Sequence, residues 1–163
     1  YDSVAENKPY DTFVRDLLMA SGSAYQNPAA NYHLASTDKT IYQPDVAVEN
    51  VTQLFLGIRF ACAKCHDHPF EKWTQNQYYE LGSYFSEVGV KKGQLLDEQI
   101  IYNNYSVNGG VKHPKTGTIV PANVPFGSAD KIGDDPRESI TNWLVSKDNQ
   151  QVNYLKLSLH LQW

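Results

Sequence analysis

Sulfur is scarce in this chain. Its 163 residues include two cysteines, Cys62 and Cys65, and one methionine, Met19, so any thiol or thiolate chemistry must use that single pair. No apolar run approaches the length of a bilayer span, and no segment reads as a signal peptide. Strong charge imbalance is also missing: the formal charge of −4 argues against nucleic acid as a partner. There is no internal repeat, no low-complexity segment, and no Ser-His-Asp or paired-carboxylate constellation to support a hydrolase. What the chain does have is a moderate apolar content of 41%, with eleven tyrosines. That composition is neither disordered nor membranous, and the length allows one domain with a real core and a smaller appendage.

The two cysteines stand in Phe60-Ala61-Cys62-Ala63-Lys64-Cys65-His66-Asp67-His68-Pro69-Phe70, where Cys62 to His66 form a C-x-x-C-H run. This is the attachment signature of a c-type haem. Thiols so spaced on one helical turn each reach one vinyl group of the porphyrin, and the adjacent imidazole comes up beneath the iron as the axial ligand. One covalent haem would consume both thiols. Two other readings stay open: a zinc site drawn from Cys62, Cys65, His66 and His68, and a thiol redox pair.

Periodicity arranges the rest around this run. A first helix opens at Asn7-Lys8-Pro9-Tyr10-Asp11, buries Phe13, Val14, Leu17 and Leu18, and ends at Ser21-Gly22-Ser23. A second begins near Asp45, and Val48, Val51, Leu54, Phe55, Ile58 and Cys62 form one apolar stripe leading into the motif. Arg59 and Lys64 would flank the cofactor and pair with its propionates, and Trp73 either walls the porphyrin or packs in the core. Thr74-Gln75-Asn76-Gln77 is a capping box for a third helix whose apolar side is Tyr78, Leu81, Tyr84, Phe85 and Val88. Gln99–Tyr102 and Val111–His113 read as a hairpin around Val107-Asn108-Gly109-Gly110, and Thr118–Val120 as a further strand. Asp135-Pro136-Arg137-Glu138 starts another helix with Ile140, Trp143 and Leu144 buried, and a last helix begins near Gln151. The expected fold is therefore mainly α with a small β-hairpin region, a helical c-type haem-binding domain.

Three stretches carry a resemblance to a family: Asn7–Arg15, the block from Glu49 through the C-x-x-C-H run and Trp73-Thr74-Gln75 to Tyr79, and Val111–Pro114 with Thr116-Gly117. Together they resemble the planctomycete-type secreted, cytochrome c-like proteins that carry paired DUF1549 and DUF1553 domains. The resemblance implies a DUF1549-like haem domain over 1–120, a linker over 121–133, and the start of a DUF1553-like segment over 134–163. It also implies an exported location, periplasmic, cell-surface or extracellular. Tyr1 in place of Met and an apolar ending at Leu157, Leu159 and Leu161 give the expectation that this is a piece of a longer protein, whose exposed end meets the remaining domains or a second copy.

The sixth ligand decides between functions. His113 is the favoured candidate, with Met19 or an open position as alternatives, because His68 is too close to His66 to reach the opposite face of the same iron. An electron-transfer module serving a redox partner is the leading reading. A five-coordinate redox enzyme or sensor and a zinc-stabilised interaction domain are the alternatives.

Overall fold

Proline pre-sets the backbone for a helix's first turn, and Pro9, Pro44 and Pro136 each stand at such a start. The computed structural model describes residues 2–70, 72–105, 109–126 and 133–146. Its helices are α1 (Asp2–Ala5), α2 (Tyr10–Leu18), α3 (Asn31–Leu34), α4 (Pro44–Val51), α5 (Gln75–Ser83) and α6 (Pro136–Val145). The strands are β1 (Gly22–Ser23), β2 (Thr37–Asp38), β3 (Ile41–Tyr42), β4 (Val88–Lys92), β5 (Gln99–Asn103), β6 (Val111–Lys112) and β7 (Ile119–Val120). All pairings are antiparallel: a sheet in the order β1-β5-β4, and the two-stranded pairs β2-β3 and β6-β7.

The fold is mixed α/β, which corrects the expectation of a mainly α domain; this is not a mainly helical cytochrome. Two misreadings explain the difference. Val88 lies in phase with the apolar side of α5, yet the helix stops at Ser83 and Val88 opens β4. The expected hairpin between Gln99–Tyr102 and Val111–His113 does not form, because β5 pairs with β4 and β6 pairs with β7. Gly89 makes the first pairing possible: it faces the Tyr102 ring, and a Cβ there would lie 2.5 Å from that ring. Val107, Asn108 and the segment containing the expected last helix lie outside the described residues.

One core holds most of the chain together. Val14 and Leu18 of α2, Val48 and Val51 of α4, and Tyr78 and Leu81 of α5 meet Ile140, Trp143 and Leu144 of α6. The capping box of Thr74 and Gln77 is present as read, as is the cap of Asp135 on α6. A second cluster of Ala20, Ala30, Val88, Val90 and Ile101 lies under the β1-β5-β4 sheet. No helix among the described residues is long and apolar enough to cross a membrane.

His33 of α3 is buried between these layers. Its Nε2–H donates to the Leu18 carbonyl (3.1 Å), which leaves Nδ1 to accept from the Tyr42 hydroxyl (3.1 Å). Burial, reinforced by the Arg137 charge, lowers its pKa from the usual 6.5 to about 4. The folded state therefore holds His33 neutral while the unfolded chain takes up a proton below its ordinary pKa. Stability contributed by this site is complete above pH 6.5 and is lost as pH falls towards about 4. The full loss is roughly 3 kcal/mol. Urea titrations at pH 7 and pH 5 are expected to show part of it, and a His33→Gln variant to show little. Equal pH slopes in the two proteins would contradict the assignment.

Candidate functional site

Gly57 separates the motif from the helix before it. After α4 the chain makes a π-helical turn over Thr52–Leu56, and Gly57 closes it in the left-handed region at φ 67°. Glycine takes that conformation without the penalty a Cβ brings. The wider turn also shifts the phase of the apolar stripe, so Leu54 is 62% exposed while Phe55 and Leu56 are buried. The thiols are therefore not at the end of a long packed helix, as the periodicity had implied. They sit on a separate 3₁₀ turn, Ala61–Lys64, with Cys65 as its C-cap.

The two residues between the cysteines anchor that turn. Ala63 is fully buried, and Phe60 just before the turn is 2% exposed, edge-on to Trp73 with ring centroids 5.3 Å apart. The Lys64 ammonium pairs with Asp45 of α4 at 2.7 Å. That pair keeps the Lys64 pKa above its ordinary value; at Asp45 burial pushes upward, but the lysine's hydrogen bond and charge outweigh it and lower the pKa. Both side chains are partly exposed, so the bridge is worth at most about 1 kcal/mol. The Lys64 carbonyl accepts from Gln75 Nε2 (2.8 Å) and Tyr79 OH (3.0 Å), and the Asp67 carboxylate accepts from the Gln75 backbone N–H (2.8 Å). The turn is thus fastened to the first turns of α5.

With its anchors inside, the turn presents its chemistry outwards. Cys62 and Cys65 are free and exposed, and so is His66. His66 Nδ1 lies 2.6 Å from the Asp67 carbonyl. A carbonyl only accepts, so Nδ1 carries the proton and Nε2 keeps its lone pair, the arrangement usual in metal-ligating imidazoles. The neighbouring histidines are arranged the other way. His68 Nδ1 accepts from the Phe70 N–H (3.3 Å), and His113 Nδ1 accepts from the Lys115 N–H (3.2 Å).

The other predicted site residues divide. Arg59 is exposed on the flank of the turn. Lys64 is committed to Asp45, and Trp73 packs inward between Phe60 and Phe126. His113 follows β6, is nearly buried, and lies against the Tyr79 ring at 5.1 Å. Met19 ends α2 and lines a shallow cleft with Arg15, Asp16 and Asn27. Among the described residues no three His, Cys, Asp or Glu side chains gather to hold a metal ion, so the four-residue zinc site drawn from the sequence is not assembled. Sequence reasoning passed over Asp45, Gln75 and Tyr79 as parts of the site. Nothing in the polar helix start Gln75-Asn76-Gln77 set Gln75 apart from its neighbours.

The profile of the PSCyt2 family, described as a protein of unknown function (DUF1549), matches residues 1–89. That is more than half of the chain and includes the whole C-x-x-C-H turn. The chain belongs to the DUF1549 family. No curated protein and no solved structure matches it. In this DUF1549 chain the matched region ends within β4, so it contains α1 to α5 and both anchors of the turn, Asp45 and Gln75.

Proposed function

We propose that this DUF1549 chain attaches one c-type haem through Cys62 and Cys65, uses His66 as an axial ligand, and serves as an electron-transfer module of an exported protein. The observation that carries this reading is the pose of His66. Its Nδ1–H is tied to the Asp67 carbonyl, so an Nε2 lone pair is offered on the same exposed turn as two free thiols. The donor set fits the group: two thiols, one correctly protonated imidazole, and Arg59 exposed nearby as a propionate partner. Phe70, 92% exposed shortly after His66, offers apolar surface to cover a ring. When bound, the group supplies an iron that changes oxidation state by one electron.

The residues of the chain do the rest. Cys62 and Cys65 would hold the group, each thiol adding across one vinyl group so that a C–S and a C–H bond would replace the S–H bond and the C=C π bond, with no net oxidation. Ala63 and Lys64 hold the turn down while this happens. Such attachment takes place outside the cytoplasmic membrane, which accords with the planctomycete-type secreted family and a periplasmic, cell-surface or extracellular location. The redox partner in this reading is another protein or another domain of the same polypeptide. Expressed with a periplasmic haem-maturation system, the protein is expected to gain the mass of one haem, and the Cys62→Ala/Cys65→Ala variant to gain none. A wild-type mass equal to the bare polypeptide would refute the proposal.

One observation favours a second reading, a five-coordinate iron suited to a redox enzyme or sensor. Because His113 Nδ1 accepts a hydrogen bond from Lys115, its Nε2 carries the proton and has no lone pair to offer as sixth ligand. Binding of carbon monoxide to the reduced protein would select this reading; a low-spin spectrum indifferent to carbon monoxide would select the carrier.

A further inference from the structure

We infer that Tyr79 and His113 are positioning residues of the C-x-x-C-H turn: Tyr79 holds the Lys64 carbonyl, and His113 holds the Tyr79 ring. The last carbonyl of a 3₁₀ turn has no partner within the turn and must find one outside it. Lys64 finds two, Gln75 Nε2 at 2.8 Å and Tyr79 OH at 3.0 Å, which occupy both lone pairs of its oxygen. The Lys64 carbonyl belongs to the peptide plane that leads into Cys65. Fixing that oxygen fixes the plane and with it the Cys65 N–Cα axis from which the thiol-bearing Cβ projects. The Cys65 N–H adds only a long bond to the Cys62 carbonyl, 3.4 Å, so the turn itself gives this residue little restraint.

Tyr79 is itself held from behind. Its ring lies 5.2 Å from Tyr78 at 75° and 5.1 Å from the His113 imidazole. The imidazole cannot rotate freely, because the Lys115 N–H donates to its Nδ1. Its backbone is closed into a tight loop by His113 N–H to the Thr118 carbonyl (2.8 Å) and Gly117 N–H to the His113 carbonyl (2.8 Å). Tyr79 is 8% exposed and His113 9%. A rigid turn after β6 therefore supports α5's tyrosine, and the tyrosine supports the thiol-bearing turn. This gives His113 a role in the site that does not require it to touch a bound group.

As a statement about haem attachment the inference rests on the proposed function; as a statement about thiol orientation it does not, and the test uses that difference. The reduced, haem-free full chain is alkylated with iodoacetamide under pseudo-first-order conditions, and the rates at Cys62 and Cys65 are read separately by peptide mass mapping. Tyr79→Phe keeps the ring and removes one hydrogen bond, so the Cys65 rate should change by about fivefold while Cys62 stays within about twofold. His113→Ala should change Cys65 in the same direction. The double variant should go no further than the larger single change, because both act along one path. An unchanged Cys65 rate in Tyr79→Phe overturns the inference, as do equal changes at both thiols accompanied by early melting, which would mark a merely structural role. Fully additive effects overturn the link between His113 and Tyr79. A wild-type chain that gains no haem sinks the proposed function and leaves the thiol comparison intact.

Discussion

Arg137→Met is expected to destabilise the protein by about 3–4 kcal/mol, with a drop in Tm of roughly 10 °C. Arg137 is 2% exposed, and all three nitrogens of its guanidinium donate. Nη1 donates to the Ala20 carbonyl (3.0 Å), Nη2 to Asn103 Oδ1 (2.7 Å) and to Asp135 Oδ2 (2.7 Å), and Nε to Asp135 Oδ1 (3.0 Å). One side chain thereby ties α6 to β5 and to the residues just after α2. Burial pushes the Asp135 carboxyl up, but the hydrogen bonds from Arg137 and Asn103 and the guanidinium charge hold it below its ordinary range. Methionine fills much of the volume but leaves the Ala20 carbonyl and Asn103 Oδ1 without their guanidinium donor and the Asp135 carboxylate without its counter-charge, which is where the cost lies. Adding Asp135→Asn should recover part of the loss, since it removes the orphaned charge. A loss below about 1 kcal/mol in urea unfolding would show that the network contributes little net stability.

Phe60→Ala is expected to cost about 3–5 kcal/mol and to loosen the thiol-bearing turn at the same time. The Phe60 ring lies under that turn, edge-on to Trp73 (5.3 Å, 79°) and tilted against Tyr78 (5.6 Å). Its carbonyl accepts from the Ala63 N–H (2.9 Å), so the ring and the start of the 3₁₀ turn are one unit. Removing the ring opens a cavity beneath Ala63 and unseats Trp73. Both consequences can be measured: the unfolding midpoint in urea and, under the proposed haem attachment, the fraction of molecules that gain a haem on periplasmic maturation. Phe60→Leu, which keeps most of the volume, should lose much less of either. If Phe60→Ala were as stable as wild type, the aromatic floor would have no energetic role.

The C-x-x-C-H run was legible as a pattern because Cys62, Cys65 and His66 are close in sequence, and the structure keeps all three on one exposed turn. The same holds for Thr74 with Gln77 and for Asp135 with Pro136, where the partners lie within one helical turn of each other. Composition and pattern also located most of the buried apolar residues, among them Val14, Leu18, Tyr78, Phe85 and Ile140. Leu54 escaped because the π-helical turn shifts the phase on which periodicity depends.

By itself, then, the sequence determined the C-x-x-C-H spacing, the helix starts and most of the core. Tertiary structure alone decided strand pairing, since which segments meet depends on contacts between distant parts of the chain. Val88 fits the apolar side of α5 by periodicity, yet it opens β4, whose partner is β5. The assignment of histidine roles also needed the folded backbone, although only His33 draws its Nδ1 partner from more than two residues away. All of these imidazoles look alike in sequence, and each is distinguished by what lies beside its Nδ1: a carbonyl at His66, a hydroxyl at His33, a backbone N–H at His68 and His113. A neutral imidazole offers a lone pair only on the nitrogen its neighbour leaves unprotonated, and neighbours are set by the fold.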